Sequence, residues 1–96
     1  MERKGFTYIL FNKRKGTLYV GVSSNLKKRL IQHKNKEFDG FTKKYGVDKL
    51  GYFEEYSSIR LAIQREKQLK KFYRNQKIKL IETTNPNWKD LFFDLP

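Results

Sequence analysis

The sequence predicts an α+β domain built on a small antiparallel sheet of three unequal strands, order 2-1-3, covered by helices. Three observations lead there. Residues 6–11, Phe-Thr-Tyr-Ile-Leu-Phe, are apolar or aromatic on both faces, as in a strand buried on two sides. The turn-forming residues 12–16 join that run to residues 17–22, where large and small side chains alternate, and so short a connection makes an antiparallel hairpin. A third run, residues 50–56, follows a single helical crossover, which leaves it parallel to the second strand and antiparallel to the first.

The remaining elements follow from caps and periodicity. Ser23, Ser24 and Asn25 offer N-caps for a helix to about Asn35, with Leu26 and Leu30 facing inward. Residues 36–48 read as a loop. Ser58 caps a second helix running to about Tyr73, and Asn75 a third over residues 76–82, whose apolar contacts are Ile78, Leu80 and Ile81. Asn85-Pro86 ends it. The tail is too aromatic to be a free terminus, so Trp88 and one of Phe92 and Phe93 are expected to dock on the core.

Ninety-six residues make one small domain, residues 1–96, and Leu, Ile, Val and Phe supply 27 of them, enough for a core. Zero cysteines remove disulfides, thiolate catalysis and thiolate zinc sites, and the single His33 removes a histidine cluster. No apolar run approaches the roughly 18 residues of a membrane span, and the N-terminus lacks the apolar stretch of a signal peptide, so a soluble, cytoplasmic protein is expected.

Charge narrows the partner. The net +12 exceeds what solubility alone asks of a small domain. Residues 3–36 hold ten basic side chains and no acid, and residues 60–79 hold eight against one. Nucleic acid is the leading partner. A basic surface without function and attraction to anionic lipid are the alternatives. Charges interrupt the apolar faces of both main helices, which argues against a membrane-surface helix.

Three polar residues stand on faces that should be apolar. Leu26, Arg29, Leu30 and His33 share an arc of about 100° on the first helix, whereas Lys27, Lys28, Gln32 and Lys34 cover its solvent side. An inward guanidinium calls for a specific anion. The plainer readings are that Arg29 snorkels to water or pairs with Glu54 or Glu55, and that His33 is a hydrogen-bonded core residue. On the second helix, Ile59, Ala62, Ile63 and Glu66 form one stripe, and Glu66 is the sole acid between Tyr56 and Ile81. A buried carboxylate needs a cation, either Arg29 as a structural ion pair or a divalent metal. Lys67, Lys70 and Lys71 around it would hold a phosphate close by. Tyr8 and Tyr19 of the hairpin either pack in the core or face the same cleft. A phenol of pKa about 10 loses its proton at neutral pH only beside cations.

Taken together, these residues resemble the GIY-YIG nucleases. Phe6-Thr7-Tyr8 and Tyr19-Val20-Gly21 are similar to the two tripeptides that name the family, with Phe6-Thr7 in place of Gly-Ile. Arg29 and His33 four apart, then Glu66, then Asn85 follow in the family's order, and residues 40–46 and 85–88 resemble small stand-alone bacterial members. The resemblance implies a β-β-α-β-α-α core, which the layout above matches, and a metal-dependent endonuclease hydrolysing phosphodiesters in DNA, ahead of RNA, in repair or recombination. It implies one divalent ion, Mg²⁺ or Mn²⁺, on Glu66, with waters and the scissile phosphate completing its shell. Arg29 would neutralise charge on the phosphoryl oxygens and Tyr8 would orient or deprotonate the attacking water. Tyr19 and His33 would support by hydrogen bonds, His33 also as a proton carrier. Lys43, Lys44, Lys67, Lys70 and Asn85 would contact substrate or hold the site.

Two rival functions use the same residues differently. One is a basic nucleic-acid-binding module that keeps the fold without catalysis. The other is a protein-interaction domain with Trp88, Phe92 and Phe93 as an exposed anchor. Substrate structure, oligomeric state and pathway are left open by the sequence.

Overall fold

The doubly apolar run becomes the middle of the sheet because both of its faces are covered. In the computed structural model, which describes residues 3–37 and 40–96, β1 (Gly5–Phe11) lies between β2 (Leu18–Ser23) and β3 (Lys49–Tyr56). Both neighbours run antiparallel to it, Tyr8 opposing Gly21 on one side and Phe53 on the other. The order is therefore β2-β1-β3, as the connections require.

Alternation along β1 divides the core in two. Tyr8 and Leu10 pack with Val47, Leu50 and with Leu26 and Leu30 of α1 (Leu26–Lys34). Ile9 and Phe11 pack on the opposite face with Val20, Leu69, Ile81 and Trp88. The first helix begins where its sequence signals, since the Asn25 side chain accepts a hydrogen bond from the Lys28 amide at 3.1 Å.

The segment expected to be a loop contains a short helix, α2 (Phe41–Tyr45), closed by Gly46 in the left-handed region at φ 63°. Its amphipathic stripe is too short to register as periodicity. Tertiary contacts hold it instead: Asn12 Nδ2 donates to the Tyr45 carbonyl at 3.1 Å, and the Phe41 ring stacks on Tyr19. Positions 38 and 39 of the expected loop lie outside the described residues, as do positions 1 and 2 of the N-terminal stretch.

Helix α3 (Ile59–Lys70) starts at Ser58, whose hydroxyl accepts from the Arg60 amide, but it stops short of the expected Tyr73. Phe72 leaves the helix to pack against the Ile9 cluster. The next helix, α4 (Arg74–Thr84), is then capped by Tyr73 rather than Asn75, with the Tyr73 amide donating to Gln76 Oε1 at 2.8 Å. Gly5 lets α3 approach closely: a Cβ there would come within 2.6 Å of the Ala62 Cβ.

An ionic tie also fixes α3 to β3. The Glu54 carboxylate accepts from Arg65 Nε at 2.9 Å and from the hydroxyls of Tyr52 and Tyr56. Burial pushes this carboxyl up, but those donors outweigh burial and hold it below its ordinary value, while burial and Glu54 push the Tyr52 phenol up to about 12.

The tail docks as expected. Trp88 is buried edge-on against Phe11 and donates Nε1–H to Glu82 at 2.7 Å; Phe92 is partly buried and Phe93 is exposed. The idea of Trp88 as an exposed anchor is thereby corrected. Lys34, expected on the solvent side, instead donates to Asp90 at 2.6 Å and to the Asp48 carbonyl at 3.1 Å, clamping the final 3₁₀ turn (Leu91–Asp94) under α1.

Candidate functional site

Tyr8 leaves the central strand on the α1 side and lies across the edge strand. This works because its cross-strand partner is Gly21: a Cβ at that position would fall 2.5 Å from the Tyr8 hydroxyl. The phenol is 1% exposed. Burial raises its pKa to about 12, and the groups acting on it are Arg29, which hydrogen-bonds it and pulls the pKa down, then Tyr19 and Glu66, which push it up. The guanidinium of α1, the carboxylate of α3 and the Tyr19 phenol therefore act on one buried hydroxyl, that of Tyr8.

His33, one helical turn beyond Arg29, completes the cluster. Its ring meets Tyr8 edge-on at 6.4 Å between centroids and Tyr19 at 5.9 Å. Burial first, and then the Arg29 charge, lower its pKa below 6.5, so the imidazole is neutral at pH 7. His33 is therefore a buried core residue in contact with both hairpin tyrosines.

Glu66 stands on α3 one turn after the buried Ala62, and its side chain is 15% exposed. Lys70 lies 3.4 Å from it in the helical i,i+4 relation, with an Nζ-bearing side chain 55% exposed. Ile63, expected on the same inward stripe, is instead 38% exposed, because α3 turns Ala62 and Leu69 to the sheet. Of the two sheet carboxylates, Glu54 is held by Arg65, and Glu55 pairs with Lys4 at 3.0 Å. Among the described residues, no group of three or more His, Cys, Asp and Glu is arranged to hold a metal; Glu66 is a carboxylate that acts on the Tyr8 hydroxyl.

The other sequence-selected residues separate into two sorts. Lys43 and Lys44 are exposed on α2, and Lys67 and Lys70 are exposed on α3. Asn85 is buried, and its amide serves the protein itself: Nδ2 donates to the carbonyls of Gly51 and Lys89, and Oδ1 accepts from the Lys89 amide. It holds the end of α4 against β3.

Two residues of this region escaped the sequence. Thr7 is fully buried, and its hydroxyl donates to the Ala62 carbonyl at 2.7 Å. Phe41, 46% exposed, stacks on Tyr19 with centroids 6.3 Å apart and planes 29° from parallel. A buried threonine beside a motif tyrosine, and an aromatic in a basic loop, were the available signals.

Two basic hollows flank the cluster. One, of about 330 Å³, is lined by Ser23, Ser24, Asn25, Lys28, Arg29 and Gln32. The other, of about 490 Å³, has Lys13, Arg74 and Lys77 around the exposed Phe41.

Known proteins match most of this chain. Residues 4–79 match the GIY-YIG catalytic domain. A UPF0213 protein of Clostridium perfringens is 41% identical over 78 residues, covering 81% of this chain and 83% of its own. A UPF0213 protein of Staphylococcus saprophyticus is 36% identical over 78 residues, covering 81% and 94%. The solution NMR structure of the UPF0213 protein BH0048 from Bacillus halodurans shares the fold, with TM-score 0.55 and 21% identity over 91% of this chain and 92% of that one. With the paired tyrosines on a β-hairpin, the helical arginine and the later glutamate all in one such domain, the chain belongs to the GIY-YIG family.

Proposed function

We propose that this chain binds a nucleic-acid backbone, DNA ahead of RNA, through its basic faces and hydrolyses a phosphodiester at the Tyr8–Arg29–Glu66 cluster. The observation that supports this reading is the environment of the Tyr8 hydroxyl, on which a cation from one helix and a carboxylate from another both act. A purely structural buried phenol needs one hydrogen-bond partner, not an opposed pair of charges.

A divalent ion, Mg²⁺ or Mn²⁺, fits the donor chemistry. Glu66 offers hard oxygen ligands beside an exposed lysine that can move aside, and magnesium is often held by one or two carboxylates with waters and phosphate. When bound, such an ion supplies positive charge to a phosphoryl oxygen and acidity to water.

The chain's own residues divide the remaining work. Arg29 stabilises the charge that develops on the phosphoryl oxygens. Tyr8, protonated at neutral pH, presents an O–H that orients a water or phosphate oxygen. Neutral His33 can accept a proton, and Tyr19 holds the imidazole edge-on. Lys43, Lys44, Lys67 and Lys70 attract and position the backbone, since phosphate contacts set register rather than sequence. Asn85 keeps the scaffold in place. No helix of the described residues is long and apolar enough to cross a membrane, in keeping with action on DNA in the cytoplasm.

A second reading is a binding module without cleavage. It draws on the ligand set, since among the described residues no group of three or more His, Cys, Asp and Glu is placed to hold a metal. Incubating labelled duplex, flap, junction and single-stranded DNA with purified protein and Mg²⁺ or Mn²⁺, beside Glu66→Ala, separates the two. Hydrolysis predicts cleavage that disappears in the variant while DNA affinity stays equal or rises. Binding without cleavage in both proteins selects the module. Absence of binding removes both readings.

A further inference from the structure

Beside Tyr19, the larger basic hollow has the composition of a nucleotide subsite. Lys13, Gly16, Thr17, Leu18, Phe41, Arg74 and Lys77 line it, three cations and, among the described residues, no acid around one exposed ring. It draws on four elements: the β1–β2 turn, the start of β2, α2 and α4.

These elements are bonded to one another rather than merely adjacent. Asn12 Nδ2 donates to the Tyr45 carbonyl at 3.1 Å, joining the turn to α2. The Arg74 guanidinium donates to the Lys15 carbonyl, joining the turn to α4. The turn itself is closed by Thr17 N–H to Asn12 Oδ1 at 2.9 Å and Gly16 N–H to the Lys13 carbonyl at 2.8 Å. The hollow is thus shaped before any ligand arrives, which lowers the ordering cost of binding.

The aromatic content is also organised. Phe41 stacks on Tyr19 at 6.3 Å and meets Tyr45 at 4.9 Å, and both Phe41 and Tyr45 are 46% exposed. A ring supported from behind by other rings, open to water and edged by cations is the surface on which bases of single strands stack while phosphates meet Lys and Arg. In a duplex, each interior base already stacks on two neighbours, so a base reaches such a ring only where pairing and stacking are broken.

We propose that this hollow receives an unpaired nucleotide of the DNA strand adjoining the cluster, its base on Phe41 and its phosphates on Lys13, Arg74 and Lys77. The inference rests on the nucleic-acid reading above and names its substrate class: DNA with an unpaired segment, such as an overhang, flap or single strand. Tyr19, in contact with both Phe41 and His33, connects the subsite to the cluster.

The test is equilibrium binding in EDTA, so that no cleavage intervenes, to fluorescein-labelled blunt duplex, the same duplex with a dT overhang, and oligo-dT. Wild-type protein is expected to prefer the unpaired arms. Phe41→Ala should lose on the order of tenfold affinity for them with little change on blunt duplex, and Phe41→Trp should restore it. Lys77→Ala should reduce the salt slope on oligo-dT by about 0.7. Because Phe41 is half exposed, these variants are expected to fold, which circular dichroism checks. Equal affinity of wild type for all three probes, or an unpaired-strand preference unaffected by Phe41→Ala, overturns the subsite while the basic-face reading survives. No affinity for any probe overturns both.

Discussion

The Thr7 hydroxyl and the Ala62 carbonyl, 55 positions apart, meet in a buried hydrogen bond of 2.7 Å. Thr7 immediately precedes Tyr8, and Ala62 precedes Glu66 by one helical turn, so this bond sets the axial position of α3 against the strand carrying the phenol. It also supplies a physical role for a threonine at the middle of the first tripeptide.

Thr7→Val keeps the shape and removes the donor. Since the Ala62 carbonyl retains its helical partner, the expected loss is about 1 kcal/mol in urea unfolding. Cleavage should fall more than stability accounts for, because Glu66 is no longer held in register with Tyr8. Activity unchanged at full folding would limit Thr7 to packing.

Gly21→Ala tests the close passage of Tyr8 over the edge strand. The added methyl would lie 2.5 Å from the phenolic oxygen, so the ring must move, with a loss of about 1–3 kcal/mol from overpacking. If the ring shifts toward water, the late Tyr8 ionisation moves down from about 12 toward its ordinary value. Absorbance at 295 nm during alkaline titration reads this, with Tyr52 and Tyr56, both pushed up by burial and Glu54, as other late-titrating phenols.

Arg29→Ala should reduce the cleavage rate by about a hundredfold or more if the guanidinium stabilises transition-state charge. Arg29→Lys should restore little of it, since a point charge does not reproduce a planar fork of donors. Single-turnover rates at saturating DNA make the distinction: a deficit confined to affinity would place Arg29 in binding alone.

Stability should decline on mild acidification because of His33. Its folded pKa lies below 6.5, so below that value the unfolded chain takes up the proton first. The unfolded state then binds more protons, and stability falls as pH falls, starting near 6.5 and continuing through the lower folded pKa. Above 6.5 the contribution is fully present. Glu54, held below its ordinary value, adds a loss of the same sign in a more acidic window. Urea midpoints measured from pH 7.5 to 5 should drop for wild type and flatten in His33→Gln.

Much of this protein was legible in local pattern. The three strands, the caps Asn25 and Ser58, and the docking of Trp88 followed from periodicity, turn chemistry and composition. Arg29, His33 and Glu66 stood out because each broke an apolar stripe, and such a conflict is visible without knowing what lies opposite. What only the tertiary structure decided was pairing across the chain. Arg65 rather than Arg29 met Glu54, Asn85 turned inward to carry backbone amides, and Phe72 left α3 to enter the core. The five-residue α2 and the stacking of Phe41 on Tyr19 likewise depend on contacts from distant segments. The physical reason is range. Caps and periodicity act over one or two turns and can be read along the chain, whereas burial, ion pairing and ring stacking depend on which faces folding brings together.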